Sequence, residues 1–212
     1  MKKIILAAAI LLLSTAAFAA NNANQKAEAG VERYAIYIGS NYGGKDREKL
    51  LYAGSDAQNF QKTMAEIGGV PEKNSWLLID PTKETVEEAI ESVSATIEKK
   101  NNLAKRSEFL FYYSGHSTED ELLLGDDKYD YSSLKKAITE VPSDIHVVIL
   151  DSCYSGNFIR TKGGQKKKPF LMDDSSVVKG HAYLSSSSEK ESSQESDEIE
   201  SSYFTNAMIT GL

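Results

Sequence analysis

The chain predicts an α/β fold, a mainly parallel central sheet with helices on both faces. Three observations carry this. Residues 33–39, 75–79, 109–113 and 146–150 are short apolar runs rich in β-branched and aromatic side chains. They are apolar throughout instead of alternating, as strands covered on both faces are. Segments with helical apolar spacing lie between them, and alternation of strands with helices is the pattern of a parallel sheet.

The elements follow in order. Residues 33–39 form the first strand, and 40–49 a Gly- and charge-rich loop. Ala57, Phe60, Met64 and Ile67 recur at helical spacing until Gly68-Gly69 stops the helix. Residues 75–79 form the second strand. Asp80-Pro81-Thr82 is a turn and N-cap for a helix whose stripe is Val86, Ala89, Ile90, Val93 and Ile97. The third strand, 109–113, runs into Ser114-Gly115-His116-Ser117. Residues 121–125 belong to a short hairpin, and 133–138 form a short helix. The fourth strand, 146–150, runs into Asp151-Ser152-Cys153, and 182–184 form a fifth. Residues 185–202 hold nine Ser and five Glu, a linker composition. Phe204, Ala207 and Met208 then share a helical face.

Residues 1–20 stand apart as an export signal. Lys2 and Lys3 precede the apolar run 4–13, and Ala17-Phe18-Ala19 fits small-x-small cleavage after Ala19 or Ala20. Ten apolar residues are too short for the ~30 Å of a bilayer core. The style is bacterial, so a periplasmic or secreted protein is expected, with no membrane span after signal removal. Residues 21–30 form a polar leader and 31–212 the folded domain.

Composition narrows the function. The 212 residues carry 24 Lys and Arg against 31 Asp and Glu, a net charge of −7, which loss of the signal's two lysines takes to −9. That balance excludes a nucleic-acid binder, which needs a basic face. One Cys makes neither an internal disulfide nor a thiolate metal site, and three His leave little for a multi-His site. No Gly-rich phosphate loop follows the first strand.

Cys153 and His116 each end an apolar strand in a turn of small residues. Ligands of parallel sheets bind at the carboxyl ends of strands. A thiol needs a base to become thiolate, and an imidazole is the usual one. The two therefore read as a dyad. The alternatives are a buried inert thiol and a hydrogen-bonded loop histidine. His146 opens a strand and reads as structural.

Tyr112-Tyr113-Ser114-Gly115-His116-Ser117 followed by Asp151-Ser152-Cys153-Tyr154-Ser155-Gly156 resembles the caspase and metacaspase superfamily of cysteine peptidases. Residues 51–60 look like that family's first-helix entry, and Phe204-Thr205 with Ala207 its late helix. The Ser-rich segment after Leu184 falls where the family puts a substrate loop, which implies an ordered groove wall and not a linker. The resemblance implies a caspase-like three-layer sandwich, with Cys153 the nucleophile and His116 the base. It implies that the backbone N–H groups of Ser117 and Cys153 hold the oxyanion. Most members have Gly at the position of Ser117. It further implies a metacaspase-type pocket for a P1 Arg or Lys, built from Asp56, Ser114 and Asp151, since two carboxylates suit a guanidinium or ammonium. For Asp56 the alternative is an acid satisfying helix N-terminal N–H groups; for Asp151 it is a solvated loop acid.

Substrates are then peptides or proteins with a basic P1 residue. Arg160, Lys162, Lys166, Lys167 and Lys168 form a basic run after the nucleophile, read either as a self-cleavage loop or as a solvated loop. No cofactor is expected, with calcium left open. Some relatives bind calcium, but the carboxylates expected near residues 131–133 and 160 are missing. Asp126-Asp127 and Asp173-Asp174 remain as loose oxygen donors and read as solvated turns. The family usually continues past its late helix, so the domain is expected to be incomplete at its C-terminus. The rival reading is a catalytically inactive caspase-like domain that binds a peptide or protein.

Overall fold

A computed structural model describes residues 30–100, 106–155, 158–159, 180–187 and 194–212. The export signal, the basic run 160–168 and Asp173-Asp174 lie outside the described residues. Five strands form one parallel sheet in the order β2-β1-β3-β6-β7: β1 (Val31–Ser40), β2 (Ser75–Ile79), β3 (Arg106–Gly115), β6 (Ile145–Asp151) and β7 (Gly180–Ser185). Two antiparallel hairpins stand outside it, β4 (Glu121–Leu124) with β5 (Asp127–Asp130), and β8 (Glu195–Ser196) with β9 (Ser201–Ser202). The helices are α1 (Ala53–Glu66), α2 (Lys83–Lys100), α3 (Tyr131–Glu140) and α4 (Tyr203–Gly211).

The unbroken apolar strands are explained by two cores. Tyr34, Ile36, Ile38, Phe109, Phe111, Tyr113, Val148 and Leu150 face the α2 stripe and Leu134 and Ile138 of α3. Their alternates Ala35, Tyr37, Leu110, Tyr112 and Ile149 face Ala57 and Phe60 of α1, with Met64 and with Phe204, Met208 and Ile209 of α4 packed around them. Alternate side chains point to opposite faces of a strand, so both sets must be apolar. The result is the expected three-layer sandwich. Phe60 anchors the second core, its ring 4.6 Å from Tyr112 and 6.0 Å from Tyr37; burying such a ring contributes about 1.5–3 kcal/mol.

Ile67 is not part of α1; it sits just past the helix end and is 61% exposed. On α4 the inward positions are Phe204, Met208 and Ile209, while Ala207 is exposed, because the helix turns its 204/208 face to the sheet. His146 is buried and its Nε2–H donates to the Val141 carbonyl at 2.9 Å, a structural role. The helix near residues 133–138 is longer than expected, because Asp130 caps it by accepting from the Ser133 N–H. No described helix is long and apolar enough to cross a membrane.

Candidate active site

The site lies at the carboxyl ends of β3 and β6. Ser114 and Asp151 face each other in register across these neighbours. His116 and Cys153 each stand two residues farther along their chains, so the parallel pairing brings the two turns together. Both residues are half-buried. The Ser117 hydroxyl, fully buried, donates to the Cys153 carbonyl and ties one turn to the other.

His116 is held by the chain before α1. Its Nε2 lies 2.7 Å from the Glu48 carbonyl oxygen, which can only accept, so Nε2 carries the proton. In the neutral ring Nδ1 is then the basic nitrogen. Gly43 makes room for this placement: a Cβ there would lie 2.6–2.8 Å from the ring atoms of His116.

Ser117 and Leu122 form an antiparallel bridge flanked by two hydrogen bonds, Leu123 N–H to the His116 carbonyl and Thr118 N–H to the Glu121 carbonyl. That makes Ser117 a non-hydrogen-bonded pair, whose N–H points away from the partner strand. The Ser117 N–H is thus directed off the β4 side.

Serines after β7 brace the turn that bears Cys153. The Ser187 hydroxyl donates to the Ser152 carbonyl at 2.8 Å and accepts from the Ser155 N–H at 3.3 Å. The Ser152 N–H donates to the Ser186 hydroxyl at 3.1 Å. Tyr154, next to Cys153, has φ 55°, left-handed backbone that a bulky residue adopts only when its surroundings hold it there. Phe158 pins the chain beyond, buried with its ring 5.4 Å from Tyr131 and 5.7 Å from Tyr183.

Asp56, Ser114 and Asp151 converge beneath these turns, all buried. Asp56 shares the inward face of α1 with Ala53, Ala57 and Phe60. Its carboxylate accepts from the Ser201 hydroxyl at 2.5 Å, the Ser202 N–H at 3.2 Å and the Ser114 hydroxyl at 3.4 Å. The first N–H groups before α1 are instead met by Glu195. Asp151 accepts from the Ser202 hydroxyl, and from Thr205 at 2.7 Å. Thr205 has one hydroxyl hydrogen, so the Tyr112 hydroxyl, 2.6 Å away, donates to it. Ser202 therefore bridges the two acids. Burial is the main cause that pushes the Asp56 carboxyl up to about 6; the Ser201 and Ser202 bonds oppose this, and the charges of Asp151 and Glu195 add to it.

A family model described as the caspase domain matches residues 32–212. The chain belongs to the caspase-domain family of cysteine peptidases. The match spans the whole sandwich, from β1 to the end of α4. No curated protein matches the chain.

Glu48, Gly43, Ser187, Ser201, Ser202 and Thr205 escaped the sequence reading as parts of the site. One local signal pointed to Ser202, a Ser placed before an apolar helical face, and it is the N-cap of α4. The Glu48 contribution is a backbone carbonyl and has no side-chain signature. Asp127, read as a solvated turn, accepts from the Lys83 N–H at 3.2 Å at the start of α2. Among the described residues no group of three or more His, Cys, Asp or Glu could hold a metal ion.

Proposed function

We propose that this caspase-domain protein is an exported cysteine endopeptidase that cleaves after Arg or Lys. The observation that carries the specificity is the convergence of two carboxylates, Asp56 and Asp151, with the Ser114 hydroxyl, directly below the turns that bear His116 and Cys153. A P1 guanidinium offers five fixed N–H donors, and two carboxylates accept most of them. A P1 Asp would bring a third negative charge into a desolvated site.

His116 Nδ1 takes the thiol proton, and the Cys153 thiolate attacks the scissile carbonyl. The N–H groups of Ser117 and Cys153 receive the developing oxyanion; one such donor is typically worth ~10²–10³ in rate. His116 returns the proton to the leaving amine, and water then releases the acyl group. The hydrogen bond to the Glu48 carbonyl favours the tautomer that this sequence needs and stabilises the imidazolium. The Ser117 hydroxyl bond supports the alignment of the two turns. The basic run 160–168 fits the same pocket and is the candidate site of self-processing.

The test compares fluorogenic peptides with P1 Arg, Lys and Asp on the wild type, Cys153→Ala and Asp151→Ala. Arg and Lys peptides are cleaved, Cys153→Ala is inactive, and Asp151→Ala loses roughly 30-fold or more in kcat/KM for Arg. Iodoacetamide alkylates Cys153 far faster than a free thiol in the wild type, and as fast in Asp151→Ala. A preference for Asp, or an unchanged Arg rate in Asp151→Ala, would overturn the acidic-pocket reading. An unreactive Cys153 would favour the inactive binding domain.

A further inference from the structure

The acids of the pocket are closed to an incoming side chain. Asp56 is 0% exposed and Asp151 3%. What covers them is the chain itself. The hairpin of β8 and β9 places the Ser201 hydroxyl and the Ser202 N–H on Asp56, and the Ser202 hydroxyl on Asp151. These donors are neutral, and they use the lone pairs that a guanidinium would use. A carboxylate in a buried site is matched better by a cation than by a hydroxyl, because a cation offsets its charge and a neutral donor does not.

The same hairpin is fastened at its outer end to the residues that lead into α1. The Glu195 carboxylate accepts from the Leu51 and Tyr52 N–H groups, both at 3.0 Å. The Tyr52 hydroxyl donates to Asp197 at 2.9 Å, in an exposed position. The strands are two residues each, and Glu200 in the turn has φ 48°, a conformation that favours glycine. A buried plug is thus carried on a short hairpin held by exposed and part-buried contacts. Solvent-exposed hydrogen bonds and low local packing mark segments that open first.

We propose that the 195–202 hairpin plugs the P1 pocket, with Ser201 and Ser202 standing in for a substrate guanidinium, and that a basic P1 side chain binds only as the hairpin withdraws. This rests on the acidic-pocket reading. The apparent affinity for substrate is then reduced by the fraction of molecules that are open, so loosening the outer fastening strengthens substrate binding.

The experiment uses the full chain and the variants Tyr52→Phe, Glu195→Gln and their combination. Tyr52→Phe removes one exposed hydrogen bond and keeps the ring, so folding is preserved even if Glu195→Gln disturbs α1. For a P1 Arg peptide the double variant should show KM lower by about fivefold or more, with kcat and the alkylation rate of Cys153 unchanged. Agmatine, a free guanidinium, should accelerate hydrogen exchange at the Ser202 amide in the wild type, because binding breaks its bond to Asp56. An ordinary ligand protects the amides it covers. If the wild type cleaves Arg peptides while KM stays the same or rises in the variants, or if agmatine protects the Ser202 amide, the plug is overturned and the acidic pocket stands. If neither Arg peptides nor agmatine bind the wild type or the variants, the acidic pocket falls and the plug falls with it.

Discussion

The Ser117 hydroxyl donates its hydrogen bond to the Cys153 carbonyl, joining the turn that bears the histidine to the turn that bears the cysteine. The bond is buried. Ser117→Ala keeps the backbone N–H and loses only this tie. It should lower stability by about 1 kcal/mol, the usual worth of one hydrogen bond. It should also lower kcat for an Arg peptide by about tenfold with KM little changed, since alignment is lost while the P1 pocket is intact. Urea denaturation and steady-state kinetics measure both. No change in either would mean that the tie is inconsequential.

Gly43 packs against the His116 ring more closely than any side chain permits. A methyl group there must push the ring off the Glu48 carbonyl. Gly43→Ala should cost about 10²-fold in kcat/KM, the usual scale for a displacement of about 1 Å. Iodoacetamide alkylation of Cys153 should slow as well, because the base has moved. Normal alkylation in Gly43→Ala would show that the ring placement is not what activates the thiol.

Asp56 predicts a pH dependence with a definite sign. Its carboxyl is raised from the usual 3.8 to about 6, chiefly by burial. The folded chain therefore holds this proton more tightly than the unfolded chain does. The contribution to stability is complete below about pH 4 and is lost as pH rises through about 6. A shift of this size corresponds to roughly 2–3 kcal/mol. Asp56→Asn removes that component, so the gap in stability between wild type and variant should change by this amount between about pH 4 and 7. Denaturation curves across the range test it; a constant gap would refute it. Ionised Asp56 is also the form that pairs with a guanidinium. Binding of an Arg peptide should therefore strengthen through about pH 6 in the wild type but not in the variant.

Self-processing makes a separate prediction. Active protein should break into two fragments within 160–168, after Arg160, Lys162 or one of Lys166, Lys167 and Lys168, while Cys153→Ala remains whole. Mass spectrometry of both proteins after identical incubation reads the outcome. Cleavage of Cys153→Ala at the same place and rate would assign the cut to an outside protease.

Much of this molecule was legible in consecutive residues. Strands 33–39 and 109–113 were visible because strands buried on both faces need every side chain apolar, and the α2 stripe because a helix against a sheet repeats its apolar contacts every three to four residues. His116 and Cys153 were visible because each follows an apolar run directly, and a parallel sheet brings such ends to one edge. For the serine-rich stretch the order was legible only through the family resemblance, which implies a groove wall there. Its composition is that of a linker, yet Ser186 and Ser187 brace the turn that bears Cys153, and Ser201 and Ser202 bind the buried acids.

The sequence by itself determined the layers of the sandwich, the order of its elements and the residues placed at the reactive edge, because hydrophobic period and strand-end position are local properties. Only the tertiary structure decided what those residues touch. Ser201 reaches Asp56 across 145 positions, and the Glu48 carbonyl reaches His116 across 68. A hydroxyl or a backbone carbonyl has the same chemistry wherever it stands, so no spacing announces such a partner. The folded sheet selects it, because a buried carboxylate or a half-buried imidazole has to be hydrogen-bonded by whatever donor or acceptor the fold brings within reach.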